Sequence, residues 1–375
     1  MCALHALRRW SKADQRSKED RVQMLVDRVG ESLERFLKDR FGLPTAESAE
    51  DLGVLQEPVN SRRAAVGKLG RVFHTLGMAM RTVAPDTVPP GRFVELPGRG
   101  TTFAVDVAGP PGAPTLLLLH GLAVTGYLNW FPAFAALAQD FRVISMDLRG
   151  HGRGIPMSGR FRLEDCADDA AALADVLGVE QVVAVGYSLG GPVAQLMWRR
   201  HPDRVAGMVL CATSRNFGGT PHERAFYSTL IAGIYGIRAV RYLPGPFHHP
   251  AAVPTSRQVE DEVERGRIAP WAVAELRQVS PHVLLQAMHA MGHFTSHTWI
   301  GEIDVPTAVV VTTKDRFVAP DRQLNLARSI PGATIHPARA SHAACVLGAD
   351  RFVPSLVDAC RSVASRMDSA ASEIA

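Results

Sequence analysis

The sequence is poor in cysteine and lysine and has no long hydrophobic run. The five cysteines of this 375-residue chain form no C-x-x-C pair, and an odd number cannot all be bridged within one chain. They are Cys2, Cys166, Cys211, Cys345 and Cys360. Reduced thiols and a cytoplasmic protein are therefore expected rather than a disulfide-stabilised secreted domain. No stretch approaches the roughly 18 apolar residues of a membrane span, and charges interrupt the N-terminus before a signal-peptide core could form.

The charge balance excludes a strongly basic or acidic protein. The 41 Lys and Arg residues against 37 Asp and Glu residues give a net charge of +4, and five of the 41 are lysines. This small excess forms no basic stripe interleaved with aromatic residues, so no nucleic-acid partner is expected. A hydrophobic content of 46% with 21% charged residues is typical of a globular protein. The length suits one large α/β domain with an accessory segment.

Residues 1–90 predict an N-terminal helical extension followed by a linker. Apolar residues recur at helical spacing in residues 21–38, which predicts an amphipathic helix. A second helix is predicted over residues 61–82, where five Arg or Lys residues occur without an acidic one. A basic amphipathic helix of this kind can contact an anionic membrane surface, pack on the main domain with its arginines in water, or bind a partner protein. The proline-rich stretch APDTVPPGRF then predicts the linker.

From residue 91 onward, strands and helices alternate. The runs FVEL and TFAVDV predict a hairpin, and TLLLLHG, FRVISMD, VVAVGYS, GMVLCAT and AVVVTTKD predict later strands. Short apolar strands separated by helical stretches are typical of a mostly parallel sheet with helices on both faces. The alternation stops over residues 215–300, which are rich in aromatic residues and methionine and predict a helical cap insertion. The predicted α/β core therefore comprises residues 91–214 and 301–375.

The sequence GYSLGG places Ser188 between a valine-rich strand and a helical pattern. A serine at a sharp strand-to-helix turn projects above the sheet, and glycines flank it because a Cβ there would collide with neighbouring backbone. Gly186 and Gly190 meet that requirement. The following helix would direct its N-terminal N–H groups toward a developing oxyanion. Ser188 is therefore a candidate nucleophile.

Such a serine needs a base and a residue that orients the base. Asp315 follows the strand AVVVTTKD, and functional residues gather at the carboxyl ends of strands in open α/β sheets. His342 lies in a loop after the predicted strand ATIHPA. The chain order Ser188, Asp315, His342 is the order expected for this type of site. We therefore predict that Ser188, Asp315 and His342 form a catalytic triad.

Residues 92–366 resemble the α/β-hydrolase superfamily through four motifs: HGL, DLRGHGRG, GYSLGG, and the late pair TTKDRFVAP and ASHAACVLG. The resemblance implies an α/β-hydrolase fold in which the backbone N–H groups of Leu122 and Leu189 form the oxyanion hole. Two features depart from many relatives: Ser341 rather than glycine precedes His342, and no acidic residue follows until Asp350. Relatives that open epoxides or remove halides carry an aspartate at the elbow, so Ser188 argues against both reactions.

Other polar residues in these motifs are expected to hold loops rather than to react. These are His120, Asp147, Arg149 and His151. Residues His289, His293 and His297 recur every four positions and could align on one helix face, but zinc normally recruits ligands from more than one element, so packing or pocket lining is preferred and no metal site is predicted. Cys345, near His342, is interpreted as a small packing residue.

The apolar insertion carries the information about substrate. Its methionine and aromatic side chains suit acyl chains or rings, although many of them could simply hold the cap together. The predicted substrate-binding residues are Tyr187, Met288, Met291 and Phe294. The sequence thus predicts a cofactor-free serine hydrolase acting on a small-molecule apolar carboxylic ester, either a lipid or another apolar acyl ester. Carbon–carbon bond hydrolysis, acyl transfer and a non-catalytic ligand-sensing or scaffold role stay open, as does the oligomeric state.

Overall fold

An eight-stranded sheet forms the centre of the protein. The structure, a computed structural model, describes residues 88–219, 223, 224, 227, 275 and 278–374. The strands are β1 (Gly91–Leu96), β2 (Gly100–Val107), β3 (Thr115–Leu119), β4 (Arg142–Met146), β5 (Val182–Tyr187), β6 (Val205–Cys211), β7 (Thr307–Thr312) and β8 (Thr334–Ala338). Most are short valine-rich or leucine-rich runs, and β5 and β7 are buried along their whole length, as expected of strands covered on both faces.

The strand order is β1-β2-β4-β3-β5-β6-β7-β8. β2 pairs antiparallel with β1 and with β4, and the other neighbours pair in parallel. The predicted hairpin and the mostly parallel sheet are both confirmed. Because β3 and β5 to β8 run in the same direction, the loops that follow them open at one edge of the sheet.

Helices cover both faces of the sheet. They are α1 (Gly126–Trp130), α2 (Phe134–Leu137), α3 (Leu163–Val176), α4 (Gly190–Arg200), α5 (Pro281–His293), α6 (Pro320–Ser329), α7 (Ala344–Leu347) and α8 (Ala349–Ile374). Strand alternation divides the core: Leu117 and Leu119 pack with residues of α3, α4 and α6, whereas Leu116 and Leu118 pack with residues of α1, α2 and α8. This is the layered arrangement that the sequence predicts.

Two predicted segments lie wholly or largely outside the described residues. The extension before residue 88, including residues 61–82, is one, so membrane contact stays one of the open alternatives for that helix. Of the predicted insertion at residues 215–300, the structure describes mainly α5 and its flanks, and an isolated antiparallel bridge pairs Asn216, after β6, with Thr295, before β7. In the part of the chain that is described, no helix has both the length and the apolar character to cross a bilayer.

Candidate active site

Ser188 lies at the turn between β5 and α4. Its backbone has φ of +50°, a left-handed conformation that non-glycine residues adopt rarely and at a cost of about 1–3 kcal/mol. The surrounding structure holds it there: the Ser188 N–H donates to the Cys211 carbonyl at 2.9 Å, and the Ser188 carbonyl accepts from the Thr213 hydroxyl at 2.8 Å. The strained turn is thus anchored to the end of β6.

The glycines around Ser188 are required by close backbone approach. A Cβ at Gly190 would lie 2.1 Å from the Leu119 carbonyl oxygen, and one at Gly186 would lie 2.3 Å from the Gly190 carbonyl oxygen. Both distances are far below van der Waals contact, and the colliding atoms are backbone. The fold therefore contains the close backbone approach that the sequence predicts at this turn, and only glycine fits there.

Substituting Gly190 with alanine is expected to destabilise the protein severely. The backbone of β3 cannot retreat without disturbing the sheet, so the cost should reach about 3 kcal/mol or more, which lowers the melting temperature by at least about 6 °C. Differential scanning fluorimetry of soluble protein measures this. Gly159→Ala is the matched control, because nothing lies within 4 Å of a Cβ at that position. Equal melting temperatures for the two variants would contradict the close approach.

Three side chains from three strand ends meet above the sheet. Ser188 Oγ lies 2.9 Å from His342 Nε2, and His342 Nδ1 lies 2.7 Å from Asp315 Oδ2. All three residues are buried, with 2%, 8% and 4% of their surface exposed for Ser188, His342 and Asp315. Because the Asp315 carboxylate can only accept, His342 donates from Nδ1 and keeps Nε2 free to accept the serine proton. The structure therefore brings together the three residues that the sequence predicts.

The orientation of Asp315 depends on residues that the sequence reasoning missed. Its Oδ1 accepts from the backbone N–H groups of Phe317 at 2.8 Å and Val318 at 2.9 Å. Its Oδ2 accepts from the Thr312 hydroxyl at 2.8 Å, and the fully buried Gln323 lies 3.3 Å from the same oxygen. A signal existed: Gln323 shares a helical face with the buried Leu326 and Ala327, where an amide needs polar partners.

The loop that carries His342 is held from below by Tyr187. The Tyr187 hydroxyl donates to the His342 carbonyl at 2.6 Å, and burial raises the pKa of this phenol well above its ordinary value. The Phe317 ring lies 4.6 Å from the imidazole, centroid to centroid. Tyr187 is 2% exposed and packs against Trp130 and Phe352. Its predicted substrate contact is therefore corrected to a structural contact, because its side chain points into the core.

The departure from glycine before His342 does not disturb this loop. The Ser341 carbonyl accepts from the Ala344 N–H at 3.1 Å, which starts the short helix α7 directly after the histidine. His342 reaches both partners without an acidic residue nearby in its own loop. The loop geometry thus rests on the turn into α7 and on Tyr187.

The loop after β3 passes beside the nucleophile. A Cβ at Gly121 would lie 3.6 Å from the Ser188 Cβ, and the Gly121 N–H donates to Asn129 Oδ1 at 3.0 Å. The N–H groups of Leu122 and Leu189 donate to no acceptor among the described residues. At Leu189, this N–H precedes the first turn of α4, whose dipole favours negative charge. The role of both groups in the oxyanion hole stays a prediction.

The other motif residues hold loops, in line with the sequence interpretation. His120 Nδ1–H donates to the Gly121 carbonyl at 2.7 Å and its Nε2 accepts from the Leu148 N–H at 2.9 Å, while burial lowers its pKa to about 4. Burial also lowers the pKa of the neighbouring His151 to about 3. The guanidinium of Arg149 contacts Asp169 at 2.7 Å and 2.9 Å. Both His120 and His151 are therefore neutral, and His120 links the loop after β3 to the loop after β4.

Asp147 holds the start of α1. Its Oδ1 accepts from the Gly126 N–H at 2.7 Å and its Oδ2 from the Arg153 N–H at 2.8 Å. The carboxylate is 1% exposed. It therefore joins the loop after β4 to the helix that follows the loop after β3.

Helix α5 places the other candidate residues. Met288 and Met291 are buried, at 2% and 0%, in the same apolar cluster that Leu122 contacts, and Phe294 follows the last turn. Their predicted contact with substrate stays a prediction. The proposed alignment of three histidines on one helix face is wrong, because α5 ends at His293 and Phe294 turns into extended backbone, which leaves His297 beyond the helix. No cluster of metal-ligating residues occurs among the residues that the structure describes.

Comparisons with known proteins agree with this geometry. The family model described as alpha/beta hydrolase fold matches residues 114–233. Epoxide hydrolase B of Mycobacterium tuberculosis is 35% identical over 116 residues, which covers 30% of this chain and 32% of that protein. The alignment thus spans about a third of that relative's length.

Two further similarities extend over more of the chain. A putative carbamate hydrolase RutD of Agrobacterium fabrum is 30% identical over 226 residues, which covers 58% of this chain and 82% of the relative. The solved structure of a thermophilic esterase from Thermogutta terrifontis is 25% identical with a TM-score of 0.54, and the match covers 73% of this chain and 99% of that structure. Together with the sheet order, the elbow at Ser188 and the loops that converge on it, these matches show that the chain belongs to the α/β-hydrolase superfamily.

Proposed function

We propose that this protein is a serine hydrolase that cleaves carboxylic esters with apolar acyl groups. The observation that carries the proposal is the continuous hydrogen-bond chain from Ser188 through His342 to Asp315, with distances of 2.9 Å and 2.7 Å. This is the geometry that activates a serine hydroxyl as a nucleophile. No cofactor enters the proposed reaction.

In the proposed mechanism, Ser188 Oγ attacks the ester carbonyl carbon while its proton moves to His342 Nε2. The carbonyl π electrons move to oxygen, which becomes the oxyanion of a tetrahedral intermediate. Collapse of the intermediate breaks the bond to the alcohol, and the alcohol takes the proton from His342. Water then attacks the acyl-enzyme with His342 again as base, and collapse releases the carboxylic acid and restores Ser188.

The residues around this chain support each step. Asp315 keeps His342 in the tautomer that accepts at Nε2 and stabilises the imidazolium that forms. The N–H groups of Leu122 and Leu189 would stabilise the oxyanion, and one such donor is typically worth about 10²–10³ in turnover. Burial of the three hydrogen-bonded side chains strengthens these interactions because water does not compete for them.

The bond class follows from the nucleophile and the relatives. Ser188 forms an ester intermediate by acyl transfer, which suits substrates with an electrophilic carbonyl. The similarity to a solved esterase favours carboxylic esters. The carbamate hydrolase similarity favours carbamates as a second candidate, since a carbamate presents the same carbonyl with a different leaving group. Carbon–carbon bond hydrolysis and acyl transfer would use the same three residues.

A substrate panel tests the proposal. We expect turnover of p-nitrophenyl esters to exceed that of a p-nitrophenyl carbamate and of a vinylogous diketone, and to rise from acetate toward longer acyl chains. The preference for longer chains would follow from the apolar side chains Met288, Met291 and Phe294. Release of p-nitrophenol measures the first two classes and loss of diketone absorbance the third. Faster turnover of the carbamate would replace the ester assignment, and no turnover of any class would refute the hydrolase.

A further inference from the structure

A buried carboxylate from the connection between β6 and β7 contacts the loop beside the nucleophile. Glu275 is 0% exposed. Its Oε2 accepts from the Thr125 hydroxyl and from Arg153 Nη2, the latter at 2.8 Å. Its Oε1 lies 3.2 Å from the side-chain amide of Gln278. The proposed mechanism uses none of these contacts.

Thr125 occupies a position from which it can fix the oxyanion loop, residues 121–125. Its hydroxyl oxygen accepts from the Leu128 N–H at 3.1 Å and so caps the N-terminus of α1. Leu122 lies three residues earlier. The Glu275 carboxylate therefore ends a chain of contacts that begins at the loop carrying one proposed oxyanion donor.

The same carboxylate completes a buried charge cluster. The Arg153 guanidinium lies 2.8 Å from Glu275 and 3.4 Å from Asp147, and its Cζ lies 4.1 Å from the centre of the Phe103 ring. The side chains of Arg153, Asp147 and Glu275 are 9%, 1% and 0% exposed. Among the described residues, the charged or titratable groups that face Glu275 are Arg153, Asp147 and the Tyr127 phenol. Two carboxylates thus share one guanidinium.

We propose that Glu275 is a positioning residue for the oxyanion loop, through which the β6–β7 connection acts on the rate of the reaction. Glu275 accepts from Thr125, which belongs to the same loop as Leu122, and Arg153 holds Glu275 beside Asp147, which itself binds the Gly126 N–H at 2.7 Å. The inference rests on the proposed function, since it assigns the oxyanion loop a part in turnover. A loop displaced by a fraction of an ångström would stabilise the transition state less while binding substrate almost as well.

Steady-state kinetics of matched variants test this role. Glu275→Ala is expected to lower kcat tenfold to a hundredfold with KM within about twofold of wild type. Glu275→Gln should restore most of the loss, because its amide oxygen can accept from Thr125. The control is Glu223→Ala, which removes another ion pair between this connection and the core, to Arg322 at 2.7 Å, without touching the oxyanion loop. Its kcat should stay within twofold of wild type.

A second pair of variants approaches the contact from the other side. Thr125→Val removes the hydroxyl and should reproduce the kcat loss of Glu275→Ala, whereas Thr125→Ser should retain activity. This pair decides the matter if Glu275→Ala does not fold. An unchanged kcat in both Glu275→Ala and Thr125→Val, an equal loss in Glu223→Ala, or an effect confined to KM would overturn the positioning role.

Hydrogen–deuterium exchange separates this inference from the proposed function. Peptides that cover residues 121–131 should exchange faster in Glu275→Ala than in wild type, whether or not the protein hydrolyses the chosen esters. Unchanged exchange there would overturn the inference even if ester turnover is found. Faster exchange without ester turnover in wild type would instead retain the contact and refute the proposed function.

The cluster of Glu275, Asp147 and Arg153 should also make the melting temperature depend on pH. Burial raises the pKa of Glu275 to about 7 from 4.5, against the attraction of Arg153. The folded state then holds a proton that the unfolded chain releases between these values, so the contribution of Glu275 to stability is lost as pH rises from 5 to 7. The melting temperature of wild type should therefore fall relative to Glu275→Gln over this range. A difference in melting temperature between the two proteins that does not change with pH would contradict the raised pKa of Glu275.

Discussion

Ser188→Ala is expected to lower kcat for p-nitrophenyl ester hydrolysis by about 10⁴-fold or more. The hydroxyl that donates to His342 Nε2 is the group that would form the acyl-enzyme, and alanine offers no atom in its place. Binding and the oxyanion hole would leave a residual rate above that in water. The same substitution should abolish covalent labelling by a fluorophosphonate, read as the mass increase of the intact protein.

Ser145→Ala is the matched control for this experiment. Ser145 lies in β4 of the same sheet and is 1% exposed, and its hydroxyl has no hydrogen-bond partner among the described residues. Its removal should leave both kcat and labelling close to wild type. Persistent labelling or turnover in Ser188→Ala would show that another residue is the nucleophile and would refute the mechanism.

Asp315→Asn should lower kcat by about 10⁴-fold with little change in KM. The amide oxygen of asparagine must face the N–H groups of Phe317 and Val318, which bind Oδ1 in the wild type. Its NH2 group then faces His342 Nδ1. The imidazole must accept there and carry its proton on Nε2, so it can no longer take the proton of Ser188.

Asp321→Asn provides the control, since Asp321 is an exposed aspartate in the first turn of α6, close to Asp315 in sequence. Its kinetics should match those of wild type. Melting temperatures of both variants exclude unfolding as the cause of a loss. A kcat within tenfold of wild type for Asp315→Asn would show that Asp315 does not set the tautomer of His342.

Much of the site could be predicted because its residues lie in recognisable local sequence patterns. The glycines around Ser188 predict a turn with close backbone approach. In the structure, a Cβ would lie 2.1 Å from backbone at Gly190 and 2.3 Å from backbone at Gly186. The sequence predicts Asp315 and His342 because both follow strands, and the carboxyl ends of these strands lie at one edge of the sheet. The family resemblance supplied the expected backbone donors at Leu122 and Leu189.

The sequence predictions fail where the role of a residue depends on the direction of its side chain or on where its helix ends. Tyr187 precedes the nucleophile in sequence, yet its hydroxyl binds the His342 carbonyl from inside the core. The spacing of His289, His293 and His297 suits a helix face, but the helix ends at His293. Neither the inward direction of a side chain nor the residue at which a helix ends can be read from residue spacing.

The sequence by itself determined the alternation of strands and helices, the turn at Ser188 and the order in which three reactive side chains follow strand ends. Such features depend on residues close together in the chain, where periodicity and steric limits act directly. Tertiary structure alone decided that Gln323 and Thr312 orient Asp315, that Tyr187 supports the histidine loop, and that Glu275 reaches Thr125 across 150 positions. These are contacts between residues whose partners are chosen by packing of the whole sheet and its helices.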